Sequence, residues 1–157
     1  MKANQGLTVI ELMVVVLIIA LVSTIGVVAI RNAQVKARDA KRAYDLSQYA
    51  KALVIYSQEH GGNFPDSNYN GPIGCGRSID SQLVKYIPNL PRDPLDVKRN
   101  CSPSYYYIAD NVCSGNIAPT IHVKKMETSN PDYHVNTCRD GSGEDFANSA
   151  DYLIIVR

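Results

Sequence analysis

A chain of 157 residues with a formal net charge of +1 has room for one domain and an appended segment, and it lacks the positive excess of a strongly basic nucleic-acid binder. Hydrophobic residues make up 45% of it, yet the mean hydropathy is −0.15, so the apolar residues are gathered in one place and the remainder is polar. Ten Tyr against two Phe and no Trp suit a small domain with a thin core, because each tyrosine keeps one wet end.

The gathering place is Gly6 to Ile30, GLTVIELMVVVLIIALVSTIGVVAI. From Leu12 to Ile30 no residue is charged, and Arg31 ends the run. As a helix this run is roughly 28 Å long, close to the ~30 Å hydrocarbon core of a bilayer. A cleavable signal peptide would have a shorter apolar region and a small-residue cut site after it, whereas Arg31, Asn32, Ala33 and Gln34 continue a helical pattern. A plain signal anchor accounts for the length but not for Glu11 or for Gly6 at the edge of the polar leader. Charge bias, with Lys2 on one side and Arg31, Lys36, Arg38, Lys41 and Arg42 on the other, would place the C-terminal side in the cytoplasm. The four cysteines argue for the opposite, oxidising side.

The junction G-L-T-V-I-E followed by an apolar helix resembles the class III leader of type IV prepilins and type II secretion pseudopilins. The resemblance covers Gly6 to about Ile30 and rests on the short basic leader, Gly6, Thr8, Glu11 and the apolar run. It implies that a membrane aspartyl peptidase, the prepilin peptidase, cuts between Gly6 and Leu7 and methylates the new amine of Leu7. A carboxylate at the edge of a hydrocarbon layer is costly without a partner. For Glu11 that partner is either the Leu7 amine one turn back in the same subunit or the amine of a neighbouring subunit. The second option makes Glu11 a registration device between helices. The chain departs from the family's usual pattern at Leu7 (often Phe), Ala20 (often Gly) and Val28 (often Pro). Without that proline the helix is expected to stay straighter, with Gly26 and Ser23–Thr24 as milder weak points.

Arg31 to His60 contains no Pro or Gly and predicts a second helical half continuous with the first. Ala40, Ala43, Leu46, Ala50, Leu53 and Val54 form its apolar stripe. Lys41, Arg42, Asp45, Gln48 and Lys51 lie opposite and read as a solvated or subunit-contacting face. Gly61–Gly62 supply the stop. A helix from Thr8 to His60 is roughly 80 Å long, more than so small a domain can bury, so its first half must pack against lipid or other copies of the chain.

Residues 63–100 are rich in Gly, Pro, Asn and Asp and read as loops, with a short helix over Ser78 to Ile87, capped by Ser78 or Asp80, that turns Ile79, Leu83, Val84 and Ile87 inward. Tyr86 to Pro94, YIPNLPRDP, is a stiff extended segment. Strands are predicted at Ser104–Ala109, at Thr120–Met126 with Ile121 and Val123 on one face and His122 and Lys124 on the other, and at Asp151–Val156. Long turns are predicted at Asp110–Pro119 and Glu127–Ser149. L-P-x-D-P before Tyr105, Tyr106 and Tyr107, together with Ala37-Arg-Asp-Ala-Lys-Arg and G-x-F-P at Gly62–Pro65, is similar to the loop-to-sheet junction of major pseudopilins and related pilins. The expected fold is α+β and type IV pilin-like: one long N-terminal helix, spanning the membrane in its first half, packed on a small antiparallel β-sheet. The expected parts are residues 1–6 as leader, 7–30 as membrane and filament-core helix, 31–60 as its amphipathic half, and 61–157 as the loop-and-sheet domain.

Cys75, Cys101, Cys113 and Cys138 lack C-x-x-C spacing, and an even count in a small exported domain reads as two disulfides. Of the three connectivities, Cys75–Cys101 with Cys113–Cys138 staples the two irregular regions locally; each closed loop of about 25 residues would add roughly 3 kcal/mol. The three histidines, His60, His122 and His134, are dispersed and fit no zinc spacing. No nucleophile or phosphate-loop motif occurs, so no enzyme is expected. Asp140, Glu144 and Asp145 could cradle a calcium ion, and the resemblance favours this slightly because major pseudopilins hold calcium in a late loop, but a solvated polar turn is the preferred reading; no other cofactor is expected.

The expected function is that of a structural pilin subunit of a type IV pilus-like filament, held by lipid in the inner membrane with its C-terminal domain outside the cytoplasm. Its expected partners are other copies of itself, the prepilin peptidase and an inner-membrane assembly platform. The alternatives are a major pseudopilin of a type II secretion-like system, and a monomeric membrane-anchored module whose loops around Cys113 to Asp151 contact a ligand or DNA.

Overall fold

The computed structural model describes residues 8–102, 105–113, 116–123, 126–128, 138–139 and 152–156, without the side chains of 24–28, 67, 111–112, 116, 138–139 and 152. Helix α1 runs from Val9 to Glu59. The chain divides into two compact units, Met1–Ala37 and Arg38–Arg157, and each is taken by itself.

In the first unit α1 follows its composition: Leu, Ile, Val and Met fill it and no proline interrupts it. In the second unit α1 ends on a glycine pair. Gly61 and Gly62 have φ of +65° and +88°, and the Gly62 N–H donates back to the Ser57 carbonyl at 2.7 Å, a left-handed stop that side chains with a Cβ resist. A short 3₁₀ turn, Ser67–Tyr69, leads into strand β1 (Gly71–Ile73). Helix α2 (Ser78–Leu83) is followed by β2 (Tyr105–Cys113), β3 (Asn116–Val123), β4 (Cys138–Arg139) and β5 (Tyr152–Ile155).

The sheet is antiparallel in every pairing. Its order is β1-β2-β3-β5, with β4 also on β2. The α+β layout is therefore as expected, and so is the split of β3, where Ile121 and His122 are one step apart and turn to opposite faces. The strand boundaries differ. The expected long turn at Asp110–Pro119 is instead the hairpin of β2 and β3, whose register shifts between Ile108 and Asn111; such a bulge hides the alternation that marks a strand. Strand β1 contains Gly71 and Pro72, residues that read as a turn, and Pro is tolerated there because β1 is an edge. Strand β4 lies within the second expected turn.

The core joins Leu46, Tyr49, Ala52 and Leu53 of α1 to Ile73, Ile79, Leu83, Tyr105, Tyr107, Ile121, Val123, Met126 and Val156. The Tyr49 ring meets Tyr105 edge-on, 6.1 Å between centroids. Each buried tyrosine spends its hydroxyl on a partner, as the composition requires. Tyr49 donates to the Pro91 carbonyl at 2.6 Å, Tyr105 to Asp45 at 2.8 Å, and Tyr107 to the Pro65 carbonyl at 2.6 Å. Burial, with Asp45 close to Tyr105, pushes these hydroxyls well above the usual tyrosine pKa.

The charged face expected on α1 is corrected. Asp39, Arg42 and Asp45 are buried, while Ala40 is exposed. The buried stripe is Asp39, Arg42, Asp45, Leu46, Tyr49, Ala52, Leu53 and Ser57, a 3.6-residue pattern whose first turn is ionic. The Arg42 guanidinium, 1% exposed, binds both oxygens of Asp93 at 2.8 and 3.1 Å, Asp39 at 2.7 Å and Glu127 at 3.1 Å. Asp39 in turn accepts the N–H groups of Glu127 and Thr128 and the Thr128 hydroxyl. Arg38 adds a two-point pair on Glu127. Burial alone would lower the Arg42 pKa, but the hydrogen bonds and charges of Asp93, Asp39 and Glu127 outweigh it and raise it. Burial likewise opposes the Asp39 carboxylate, and the donors from Glu127 and Thr128 overcome it, so its pKa falls. The Arg38 hydrogen bond lowers Glu127 against a smaller burial effect.

The loop between β1 and α2 is held by one carboxylate. Asp80, three residues into α2, accepts the backbone N–H groups of Gly74, Cys75, Gly76 and Arg77 at 2.8, 2.7, 2.5 and 3.2 Å. The N-cap position is Arg77, not Ser78 or Asp80, and Asp80 contributes the returning half of a capping box. Helix α2 is shorter than expected, and Val84 faces solvent. Gly74 sits at φ +77°, where an added Cβ would lie 2.4 Å from the Pro91 carbonyl oxygen. Cys75 and Cys101 are bonded, with Cα atoms 5.6 Å apart. Cys113 is also disulfide-bonded, and its register partner across β2 and β4 is Cys138.

Two outcomes follow from the Arg42 network. Arg42→Met leaves Asp93 buried without its counter-charge and is expected to cost about 3–5 kcal/mol, measured by urea unfolding of the full chain in detergent; a loss under about 1 kcal/mol would mean that the network is not a structural tie. The second concerns acid. Asp39 and Glu127 have folded-state pKa values below their unfolded ones, so their contribution is complete above the ordinary carboxylate range of about pH 4–5 and is lost as pH falls through the lowered values. Stability of the wild type should drop across that acidic window, and the slope should flatten in Asp39→Asn.

Candidate functional site

The candidate site is the N-terminal segment. The expected cleavage and methylation residues, Gly6 and Leu7, lie outside the described residues, as do Asp140, Glu144 and Asp145, the calcium candidates. Among the described residues no group of three or more His, Cys, Asp or Glu side chains is placed to hold a metal ion.

Thr8 and Glu11 form a reciprocal pair at the start of α1. Glu11 Oε2 accepts the Thr8 backbone N–H and the Thr8 hydroxyl, both at 2.8 Å. Thr8 Oγ1 faces the Glu11 N–H at 3.4 Å, and the Thr8 carbonyl accepts the Leu12 N–H at 3.2 Å. This is a capping box, with Thr8 as cap and Glu11 three residues in. It satisfies N–H groups that a helix start otherwise leaves open, and the acidic side chain stands at the positive end of the helix dipole. The T-x-x-E spacing carried this signal, and weighing Glu11 only as the partner of an amine missed it.

Beyond the cap the side chains of α1 are apolar and exposed on every face. Val9, Ile10, Leu12, Met13, Val14, Val15, Val16, Leu17, Ile18, Ile19, Leu21 and Val22 are each at least 48% accessible. A helix that is hydrophobic all round needs a covering of its own kind, lipid or other apolar helices. The lone hydroxyl in this stretch turns back on the helix, Ser23 Oγ donating to the Ile19 carbonyl at 2.7 Å, so it adds no polar face. No helix among the described residues is long and apolar enough to cross a membrane. The uncharged sequence itself continues to Ile30, through residues 24–28, whose side chains are not described.

Chemically, the segment offers an acidic side chain beside a helix start and a shaft of exposed apolar surface. What they suit is recognition of the helix start and association along the shaft.

No curated protein and no solved structure matches the chain. Residues 1–27 match the family model of the prokaryotic N-terminal methylation motif, a class III prepilin leader.

Proposed function

We propose that the protein is a structural subunit, a pilin, of a type IV pilus-like filament. In this reading it is inserted in the inner membrane with its C-terminal domain outside the cytoplasm. The prepilin peptidase then cuts it after Gly6 and methylates it at Leu7. An inner-membrane platform finally assembles it through α1 with other copies of itself. The observation that carries the reading is the methylation motif over residues 1–27 opening directly into a helix whose apolar side chains are exposed all round. Lipid covers such a shaft before assembly and neighbouring shafts cover it afterwards, each exchange keeping its apolar surface out of water. The uncharged run from Leu12 to Ile30 supports the membrane stage by its length.

Glu11 gains a second duty in this proposal. In the uncut chain its carboxylate closes the helix start on Thr8. Cleavage after Gly6 would place a new cationic amine one residue before Thr8, and that amine, in the same or a neighbouring subunit, competes for the same oxygen atoms. The carboxylate then sets register between helices because a helix docks only where this charge is met.

Gly6→Val is expected to leave the protein at precursor mass, read by mass spectrometry, and to abolish filaments seen by electron microscopy; cut, methylated protein in normal filaments would sink the assignment. Glu11→Gln keeps an acceptor for Thr8 but removes the charge. It should be cut normally and fail to assemble, whereas Thr8→Ala should cost only about 1 kcal/mol at the helix start and still assemble. Normal filaments from Glu11→Gln would reduce Glu11 to a cap.

A further inference from the structure

Strand β5 ends the sheet: the order is β1-β2-β3-β5, and no described strand lies beyond it. Its register pairs Thr120 with Ile155, Ile121 with Ile154 and His122 with Leu153. The next pair outward is Pro119 with Val156, and there the Val156 N–H donates to the Pro119 carbonyl at 2.9 Å. Antiparallel ladders alternate hydrogen-bonded with non-hydrogen-bonded pairs. Ile154, two residues from Val156, therefore also turns its N–H and C=O toward β3. Leu153 and Ile155 turn theirs away from the sheet. Among the described residues nothing pairs with those outward groups.

Beside this edge lies an apolar groove of about 550 Å³, lined by Ala50, Lys51, Val54 and Ile55 of α1 and by Ile155 and Val156. Ile55 is 45% exposed in it. Lys51 is exposed and belongs to none of the ion pairs among the described residues. The groove and the edge, open among the described residues, thus offer apolar surface, backbone donors and acceptors, and one cation outside every ion pair of the described residues in one place.

We propose that β5 and this groove form a docking site for an extended segment of a partner protein. The segment adds to the sheet as a further strand on Leu153 and Ile155, places alternate apolar side chains in the groove and sets a carboxylate against Lys51. The open backbone groups decide among occupants. A small apolar molecule in the groove would dry them without pairing them, at a cost. A helix has no free backbone groups to offer them. Two copies of this chain meeting edge to edge would join one four-residue strand to another, well short of the ~1,600 Å² of a standard interface, and would leave both grooves unfilled. An extended segment satisfies edge, groove and cation together, by strand addition. The site is wholly within the second unit and is independent of the filament assignment.

The test is selection of a phage-displayed library of random linear peptides on the full chain in detergent. The expected winners alternate apolar residues and carry Asp or Glu. On binding, amide exchange should slow at Leu153 and Ile155, while Ile154, already paired to β3, should change little. Ile155→Pro removes an outward N–H, which an edge strand tolerates, together with an apolar side chain of the groove lining, and so strikes edge and groove at once. It should weaken binding by about tenfold or more while the chain still unfolds cooperatively. Lys51→Glu should weaken binding similarly, and a peptide with its acid exchanged for Lys should restore it. Overturning results are winners without alternation or acid, equal binding by Ile155→Pro, no protection at Leu153 and Ile155, or self-association of the chain through β5 that excludes the peptides.

Discussion

The buried Arg42 guanidinium is the constraint on which the second unit depends. It stands on α1, and its partners come from three places in the sequence: Asp39 one turn back, Asp93 in the proline-rich loop, and Glu127 after β3. The side chains of Arg42 and Asp93 are 1% and 0% exposed. Desolvating both is expensive, and only the two-point geometry together with the further acceptors offsets it. That cost gives the contact its specificity. A shifted helix would keep some apolar contacts but would strand a charge, so one placement of the loop and the end of β3 on α1 is selected. Asp80 acts likewise at smaller scale, gathering four loop N–H groups next to the Cys75–Cys101 bridge. A domain with a core this thin relies on such polar ties because its apolar area alone leaves little margin.

The two units spend charge in opposite ways. Between Asp39 and Asp45, α1 pairs its buried charges, Arg42 with Asp39 and Asp93, and Asp45 with the exposed Lys41. From Val9 to Val22 it exposes apolar side chains and places its single carboxylate at the very start. Buried ion pairs serve a fixed partner already present in the same chain. Exposed apolar surface serves a partner supplied from outside.

Much of this was legible in the sequence. The methylation junction, the extent of α1, its glycine stop, the antiparallel strands and the alternation of Ile121 and His122 all follow from local chemistry. The misreadings share a cause. Arg42 and Asp45 look like a solvated face because polarity is local, whereas their partners, Asp93 and Tyr105, lie about 50 and 60 positions away. Alanine misled in the other direction: Ala40 fits the apolar spacing, but so small a side chain gains little by burial and does not fix the phase of the helix. Strand β1 was hidden because Gly71 and Pro72 are turn residues, and only the ladder to Tyr105–Tyr107 makes them a strand.

The Thr8–Glu11 box was legible and bears most on function. A lone carboxylate at the head of an apolar helix invites an explanation by an absent partner. Here it already has a present one, because Thr8 supplies both its N–H and its hydroxyl. In the proposed filament, an amine freed by cleavage would therefore have to do better than a cap worth about 1 kcal/mol, not better than an unpaired charge in hydrocarbon, a far larger quantity. Holding Glu11 on Thr8 caps the helix start and, in the proposed assembly, would let a docked amine leave again, so that helices could test register before they settle.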